Sequence, residues 1–226
     1  MSITQIPAAL VADNAITLAK LAGGTDGNII SFDASGDPVA IATGSSGQLL
    51  TSGGAGAAPA FAAVSAGFTQ GTAVDASGAT ITFGSIPTGV DMIVLSFHDF
   101  STSGADEMMV QLGDAGGIET SNYRSFRGAN TNSSMAADGT NNSNESKGFG
   151  ITVDAAGNTF GGSMILTLHK SSVYTWVSQS QFRRDNFDYS SGAGSKALSA
   201  ELTQLRLTTK GGSETFDAGT VNIMYI

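Results

Sequence analysis

Two short stretches bring together side chains able to grip a ligand: SNYRSFRG at positions 121–128 and QFRRDNFDY at positions 181–189. The first holds Tyr123, Arg124, Phe126 and Arg127; the second holds Phe182, Arg183, Arg184, Phe187 and Tyr189. Aromatic faces stack on sugar rings, and the guanidinium fork pairs with carboxylate or phosphate oxygens, so this combination suits a glycan. With only 10 Lys+Arg in the chain, four arginines in two short stretches is a concentration. The candidate contact residues are therefore Tyr123, Arg124, Arg127, Arg183, Arg184, Phe187 and Tyr189, with 181–189 the first choice for a contact loop. The competing reading puts Phe126 and Phe182 in a core or subunit contact and pairs the arginines with Asp185, Asp188 or a neighbouring chain.

Covalent chemistry has less to work with. The sequence contains no Gly-x-Ser-x-Gly nucleophile turn, no phosphate-binding Gly-x-x-x-x-Gly-Lys-Ser/Thr and no His-Glu-x-x-His. His98 and His169, its only histidines, each stand near the end of an apolar run, where an imidazole serves as a polar cap more readily than as one of several metal ligands. Asp106 and Glu107 are adjacent, and consecutive strand residues point to opposite faces, so the two do not flank one glycosidic bond. Asp-Ala-Ser-Gly and its variants at Asp33, Asp75, Asp114, Asp154 and Asp217 lack the alternating ligands and terminal Glu of a calcium loop. The expectation is a binding protein, not an enzyme, with no metal and no cofactor.

Charge and composition narrow the partners. With 10 Lys+Arg against 19 Asp+Glu the net charge is −9, which repels phosphate backbones and argues against nucleic acid. There is no cysteine, hence no disulfide or thiolate metal site. No stretch reaches the roughly 20 apolar residues of a membrane span. The first residues carry Asp13 and no basic segment ahead of an apolar run, so a secretory signal is not expected; synthesis and retention in the cytosol until assembly is.

The elements that must hold these residues are strands and turns. Only 13% of the chain is charged and 30 residues are Gly, a composition for close-packed turns rather than long amphipathic helices. Residues 5–21 are broken by Pro7 and Asn14 and are expected as broken helix or extended chain. Residues 25–63 say one phrase twice with a period of about 20 residues. Gly27-Asn-Ile-Ile-Ser aligns with Gly47-Gln-Leu-Leu-Thr, Gly36 with Gly56, and Pro38 with Pro59. Each copy reads as strand, Gly-rich turn, strand. Such a ribbon is too thin to bury a core alone. Three of them around a three-fold axis would cover Ile29, Leu49 and Phe61 against symmetry mates, whereas a plain Gly/Ser/Ala linker would not need apolar pairs and prolines in register.

From Phe68 onward eight strands are expected, at 79–87, 90–100, 107–114, 147–154, 162–170, 173–182, 201–209 and 220–226, each β-rich or alternating with period two. The Asp-Ala-Ser-Gly variants are expected to close hairpins, Asp capping the turn and Gly supplying positive φ. Residues 128–148 read as a long polar loop, and Asn132, Asn141 and Asn144 stand in Asn-x-Ser sequons, which would mean glycosylation in a eukaryotic secretory route and otherwise mark a solvated loop.

DNAITLAKLAGGTDGN (13–28), GNIISFDASGDPVAIATGSSGQLLTSGGAGAAPAF (27–61), IPTGVDMIVLSFHDFSTSGADEMMVQLGDAGGIETSNY (86–123) and FDAGTVNIMYI (216–226) resemble segments of tail-fibre and receptor-binding proteins of tailed bacteriophages and prophages. The resemblance covers most of the chain and carries structural phrases without a catalytic signature. It implies a homotrimeric virion appendage of all-β class: an attachment segment at 1–24, a repeat-containing shaft or collar at 25–67, and a β-sandwich or jelly-roll head at 68–226. The expected partners are two further copies of the chain, other virion proteins through residues 1–25, and a host-surface glycan or protein. A capsid head fibre or decoration protein is the alternative, and a polysaccharide depolymerase a more distant one.

Overall fold

The structure, a computed structural model of the chain, describes residues 7, 10–12, 23–64, 67–130, 143–153, 155–184 and 189–226. It divides into two units, Met1–Ala66 and Gly67–Ile226. Most of the segment expected as broken helix or extended chain, along with Asn132, Asn141, Asp154, Asp185, Phe187 and Asp188, lies outside the described residues.

In the first unit each copy of the repeated phrase is one antiparallel hairpin. β1 (Ile29–Phe32) pairs with β2 (Pro38–Ile41), and β3 (Gln48–Thr51) with β4 (Ala60–Ala63). The glycines that align between the copies share a backbone conformation: Gly27 and Gly47 at φ 78° and 87°, Gly36 and Gly56 at 83° and 77°. A side chain is strained there, so the repeated glycines are what allow the repeated turns. Asp33 closes the first hairpin, its Oδ1 accepting from the amides of Ser35 at 2.8 Å and Asp37 at 3.0 Å. Ile41 is the only large apolar side chain of this unit that is buried among the described residues. Ile30 is 66% exposed, Phe32 62%, Leu49 59% and Leu50 45%.

The second unit is all-β, and no α-helix occurs among the described residues. Its strands are β5 (Thr69–Gln70), β6 (Val74–Asp75), β7 (Thr80–Phe83), β8 (Met92–Thr102), β9 (Met108–Asp114), β10 (Gly117–Ile118), β11 (Arg124–Asn130), β12 (Ser143–Glu145), β13 (Phe149–Ile151), β14 (Phe160–Lys170), β15 (Thr175–Arg184), β16 (Tyr189–Ala197), β17 (Gln204–Thr209) and β18 (Phe216–Tyr225). A nine-stranded sheet runs β12-β11-β16-β15-β14-β8-β18-β5, with β6 also on β18; a five-stranded sheet runs β10-β9-β17-β7, with β13 on β9.

Both sheets feed one hydrophobic core. β15 alternates strictly, burying Trp176, Ser178, Ser180, Phe182 and Arg184 and exposing Val177, Gln179, Gln181 and Arg183, because one face of the large sheet is covered and the other is not. At one end of the core Phe97, Phe100, Phe160, Phe182 and Phe216 form a ring cluster with centroid separations of 5.1 to 6.4 Å. Edge-to-face pairs such as Phe97–Phe182 add about 0.5–1.5 kcal/mol each beyond the area they bury. Tyr123 and Phe149, 5.1 Å apart, make a second edge-to-face pair.

Every one of the eight expected strands overlaps an observed one, β8, β14, β15 and β18 running two to four residues past the expected ends, and two long strands were not expected. β11 runs through the stretch taken for a ligand-gripping segment and into the supposed polar loop. β16, with the sequence YSSGAGSKA, has little β-propensity of its own. Its position between β11 and β15 supplies the pairing, and its glycines have a packing reason. A Cβ on Gly194 would lie 2.7 Å from the Arg124 carbonyl oxygen and 2.9 Å from the Phe149 ring, so only glycine lets β13 approach this closely. Two expected turns are corrected. Asp75-Ala-Ser-Gly78 does not close a hairpin but carries the chain from β6, paired with β18 in the large sheet, to β7, paired with β17 in the small one. Asp217-Ala-Gly219 does not close one either; it lies inside β18, where the register against β8 shifts on both sides of Ala218 and Gly219 bulges at φ 82°.

Candidate functional site

The uncovered face of the large sheet follows from its register. Phe126, Ala193, Gln179 and Ile165 stand in one row across β11, β16, β15 and β14; Arg124, Ser195, Val177 and Thr167 form the next. Between Tyr189 and Ala197 the outward residues of β16 are Ser191, Ala193 and Ser195, all small, while both neighbouring strands carry larger side chains. The difference in side-chain size makes a trough with β16 as its floor. A depression of about 620 Å³ lies over β11 and β12 and reaches the trough at Ala193, and two more, of about 670 and 410 Å³, open on β16 around Ser195 and around Ser191. The first two share Arg124, and the first and third share Ala193.

Arg124 and Phe126 rise on the β11 side, Gln179 and Gln181 on the β15 side, and Arg183 stands directly opposite Tyr189 in the register. Phe126 is 50% exposed, a large ring held outward by the alternation of β11 with buried Ser125 and Arg127 on either side. Among the described residues, no Asp or Glu occupies an outward position on β11, β14, β15 or β16, although the chain carries 19 of them. Nor does the side chain of Arg124 or Arg183 have a hydrogen-bond or ion-pair partner among the described residues.

The remaining candidate residues point the other way, into the protein. Tyr123 is buried, its hydroxyl accepting from the Leu112 amide at 2.6 Å and lying 3.0 Å from the Glu119 carbonyl; burial pushes the phenol well above its ordinary range. Lys196, also buried, pairs with Glu119 and sits 5.3 Å above the Tyr123 ring. Burial opposes ionisation of Glu119, but the Lys196 ammonium and the Ser199 amide outweigh it and hold the carboxyl below its usual value. Asp114 is likewise held low, chiefly by the Ser199 hydroxyl at 2.5 Å.

Arg127 alternates with Arg124 and Phe126 and so faces inward, where it pairs with Glu107. Lys210 bridges from the far side, its Nζ 3.0 Å from Glu107 and 3.2 Å from Glu145. Burial depresses the Arg127 guanidinium below its ordinary value, and the neighbouring Glu145 offsets this only in part. This network ties β11 and β12 of the large sheet to the ends of β9 and β17 in the small one. Arg184 is buried on the inner face of β15. Of the seven candidates, then, Arg124, Arg183 and Tyr189 share the uncovered face, Tyr123, Arg127 and Arg184 belong to the scaffold beneath it, and Phe187 lies outside the described residues.

The groups considered for catalysis or metal binding are not brought together. Asp106 accepts from the Gly211 amide at 2.9 Å, and Glu107 is engaged by Arg127 and Lys210. His98 and His169 fall at opposite ends of the β8–β14 pairing, separated by more than about 20 Å of strand. No group of three or more His, Cys, Asp or Glu is arranged to hold a metal among the described residues.

Sequence reasoning missed Gln179, Gln181 and the small floor residues of β16. The signal lay in WVSQSQF, where both faces of the strand are polar, so that period two shows only at Trp176 and Phe182. Comparison with known protein families, with curated proteins and with solved structures finds no match to this chain.

Proposed function

We propose that the chain is a virion structural protein, a homotrimeric tail fibre or receptor-binding protein that adheres to a bacterial surface. The observation that carries this reading is the first unit's inability to hide its apolar side chains: Ile30, Phe32, Leu49 and Leu50 stand exposed on two hairpins with almost no core of their own. Burying each such side chain contributes about 1.5–3 kcal/mol. Two further copies of the same ribbon supply the cover, satisfy the open strand edges and put three heads on one axis. Ile29, Leu49 and Phe61 are the proposed interface residues, with Ile30, Phe32 and Leu50 added from the exposure pattern.

Three modest sites on a trimer, and several trimers on a particle, bind a repetitive surface far longer than one site does. In the head, a sandwich in this reading, the uncovered sheet face with Arg124, Phe126 and Gln179 supplies the contact, and the mechanism needs no covalent step. Residues 1–25 dock on other virion proteins, and assembly takes place in the host cytoplasm. Immunogold labelling of phage particles from cells expressing the gene tests the assignment. Label on the tail supports it, label on the capsid alone makes the protein a decoration, and absence of label from particles removes the virion reading.

A further inference from the structure

We propose that the trough along β16 binds an anionic glycan, laid lengthwise between Arg124 at one end and Arg183 at the other. The inference rests on the adhesion reading and names the chemistry of what is adhered to. Three independent features of the uncovered face point to it.

The first is charge. The chain as a whole is strongly acidic, yet the described outward positions of four adjacent strands hold two arginines and no carboxylate. Neither arginine has an ion-pair or hydrogen-bond partner among the described residues, whereas buried Arg127 and Lys196 are both matched by carboxylates. At physiological ionic strength charges beyond about 8 Å are largely screened, so a ligand lying in the trough responds to these two guanidinium groups more than to the distant acidic surface.

The second is shape. From Tyr189 to Ser195 the floor extends about 20 Å at strand rise, with no outward side chain larger than Ser between those ends to interrupt it. A single small molecule does not need that length, and a polymer does.

The third is the mix of lining groups. The Phe126 ring beside Arg124, and Tyr189 beside Arg183, offer faces for sugar rings next to a fork for acid groups. The Gln179 and Gln181 amides, which both donate and accept, match hydroxyls along the chain between them. A nucleic acid would need many more cations than two.

The test uses the full chain at physiological salt, titrated with polygalacturonate, with a glycerol-phosphate polymer and with neutral dextran. The expected result is binding to at least one anionic polymer, at least 100-fold tighter than to dextran; which one binds tells carboxylate from phosphate. Arg124→Ala and Arg183→Ala each weaken that binding at least tenfold, Arg124→Lys recovers part of it, and Gln179→Leu weakens it while the sedimentation mass stays unchanged. The proposal is overturned by equal binding to dextran, by binding to neither anionic polymer, or by alanine variants that bind as tightly as the parent. It is also overturned if the alanine variants change the oligomeric mass, which marks the face as a subunit contact. Adsorption of the parent protein to a panel of bacterial cells separates the two levels. Adsorption that is indifferent to anionic competitors removes the ligand class and leaves adhesion standing, while no adsorption to any strain removes both.

Discussion

Replacing Arg127 by Met removes one charge from a buried network and leaves the rest in place. The Arg127 side chain is 3% exposed, with Glu107 paired to it and Glu145, itself 6% exposed, close by. Without the guanidinium, two carboxylates share the single cation Lys210, at 3.0 and 3.2 Å. Breaking a buried pair from one side costs about 3–5 kcal/mol; because Lys210 remains, the lower end, about 3 kcal/mol, is expected. Met keeps the methylene bulk that packs on β13, where a Cβ at Gly150 would already stand 2.9 Å from Arg127 Cδ, so the loss is electrostatic rather than a cavity. For a body the size of Gly67–Ile226 each kcal/mol shifts Tm by about 2–4 °C, which gives a fall of about 6–12 °C. Lys210→Met removes the more exposed cation of the same network, and a surface pair is worth under about 1 kcal/mol, hence less than about 4 °C. Thermal melts at pH 7 and one fixed protein concentration compare the two. Adding Glu107→Gln to Arg127→Met restores part of the loss, since a carboxylate deprived of its partner is the costly group. Equal small shifts for both single variants, or no recovery in the double variant, refute the reasoning.

Three further outcomes follow from the same geometry. Gly219→Ala strains φ 82° and sets a Cβ 2.2 Å from the Asp99 carbonyl oxygen, so it destabilises by more than about 3 kcal/mol, whereas Gly212→Ala, at φ 70° with nothing within 4 Å, costs about 1 kcal/mol; denaturant midpoints distinguish them. Asp114, Glu119 and Glu145 have folded-state pKa values below their ordinary 3.8, 4.5 and 4.5, so the unfolded chain takes up protons first as pH falls. Their contribution is complete above those ordinary values and is lost as pH drops through the folded ones; Tm measured from pH 7 to pH 3 declines below about pH 4.5, and the decline is shallower in Glu119→Gln. Ile30→Asp combined with Leu50→Asp charges both exposed hairpin faces and is expected to dissociate the proposed trimer at micromolar protein, as read by light scattering, while near-ultraviolet dichroism of the second unit is retained.

The sequence was most legible where one rule acted alone. The two hairpins of residues 29–63 could be drawn from the recurrence of Gly27, Gly36, Gly47 and Gly56 because positive φ at a turn has few other solutions. The long strand Met92–Thr102 was visible because its buried face, with Ile93, Leu95 and Phe97, is apolar enough to show period two, whereas Thr175–Arg184 showed it only at Trp176 and Phe182. β16 was invisible for the opposite reason: Gly194 is set by the approach of β13, Gly192 by the Ser180 hydroxyl and the Phe126 carbonyl, and Ser191, Ala193 and Ser195 by an open face, so nothing in YSSGAGSKA encodes strand locally. The candidate site inherited that gap. Arg124 and Arg183 were found by composition, but telling them from Arg127 and Arg184, three residues and one residue away, required knowing that both segments are strands and which residues face outward.

The hairpin unit is proposed to finish its core with other copies of itself. Sedimentation equilibrium of the full chain measures this without reference to any ligand or host. The expected result is a single species at three times the 22.8 kDa chain mass, unchanged on dilution into the low micromolar range. A stable particle of 22.8 kDa contradicts it and takes with it the multivalent adhesion built on three heads.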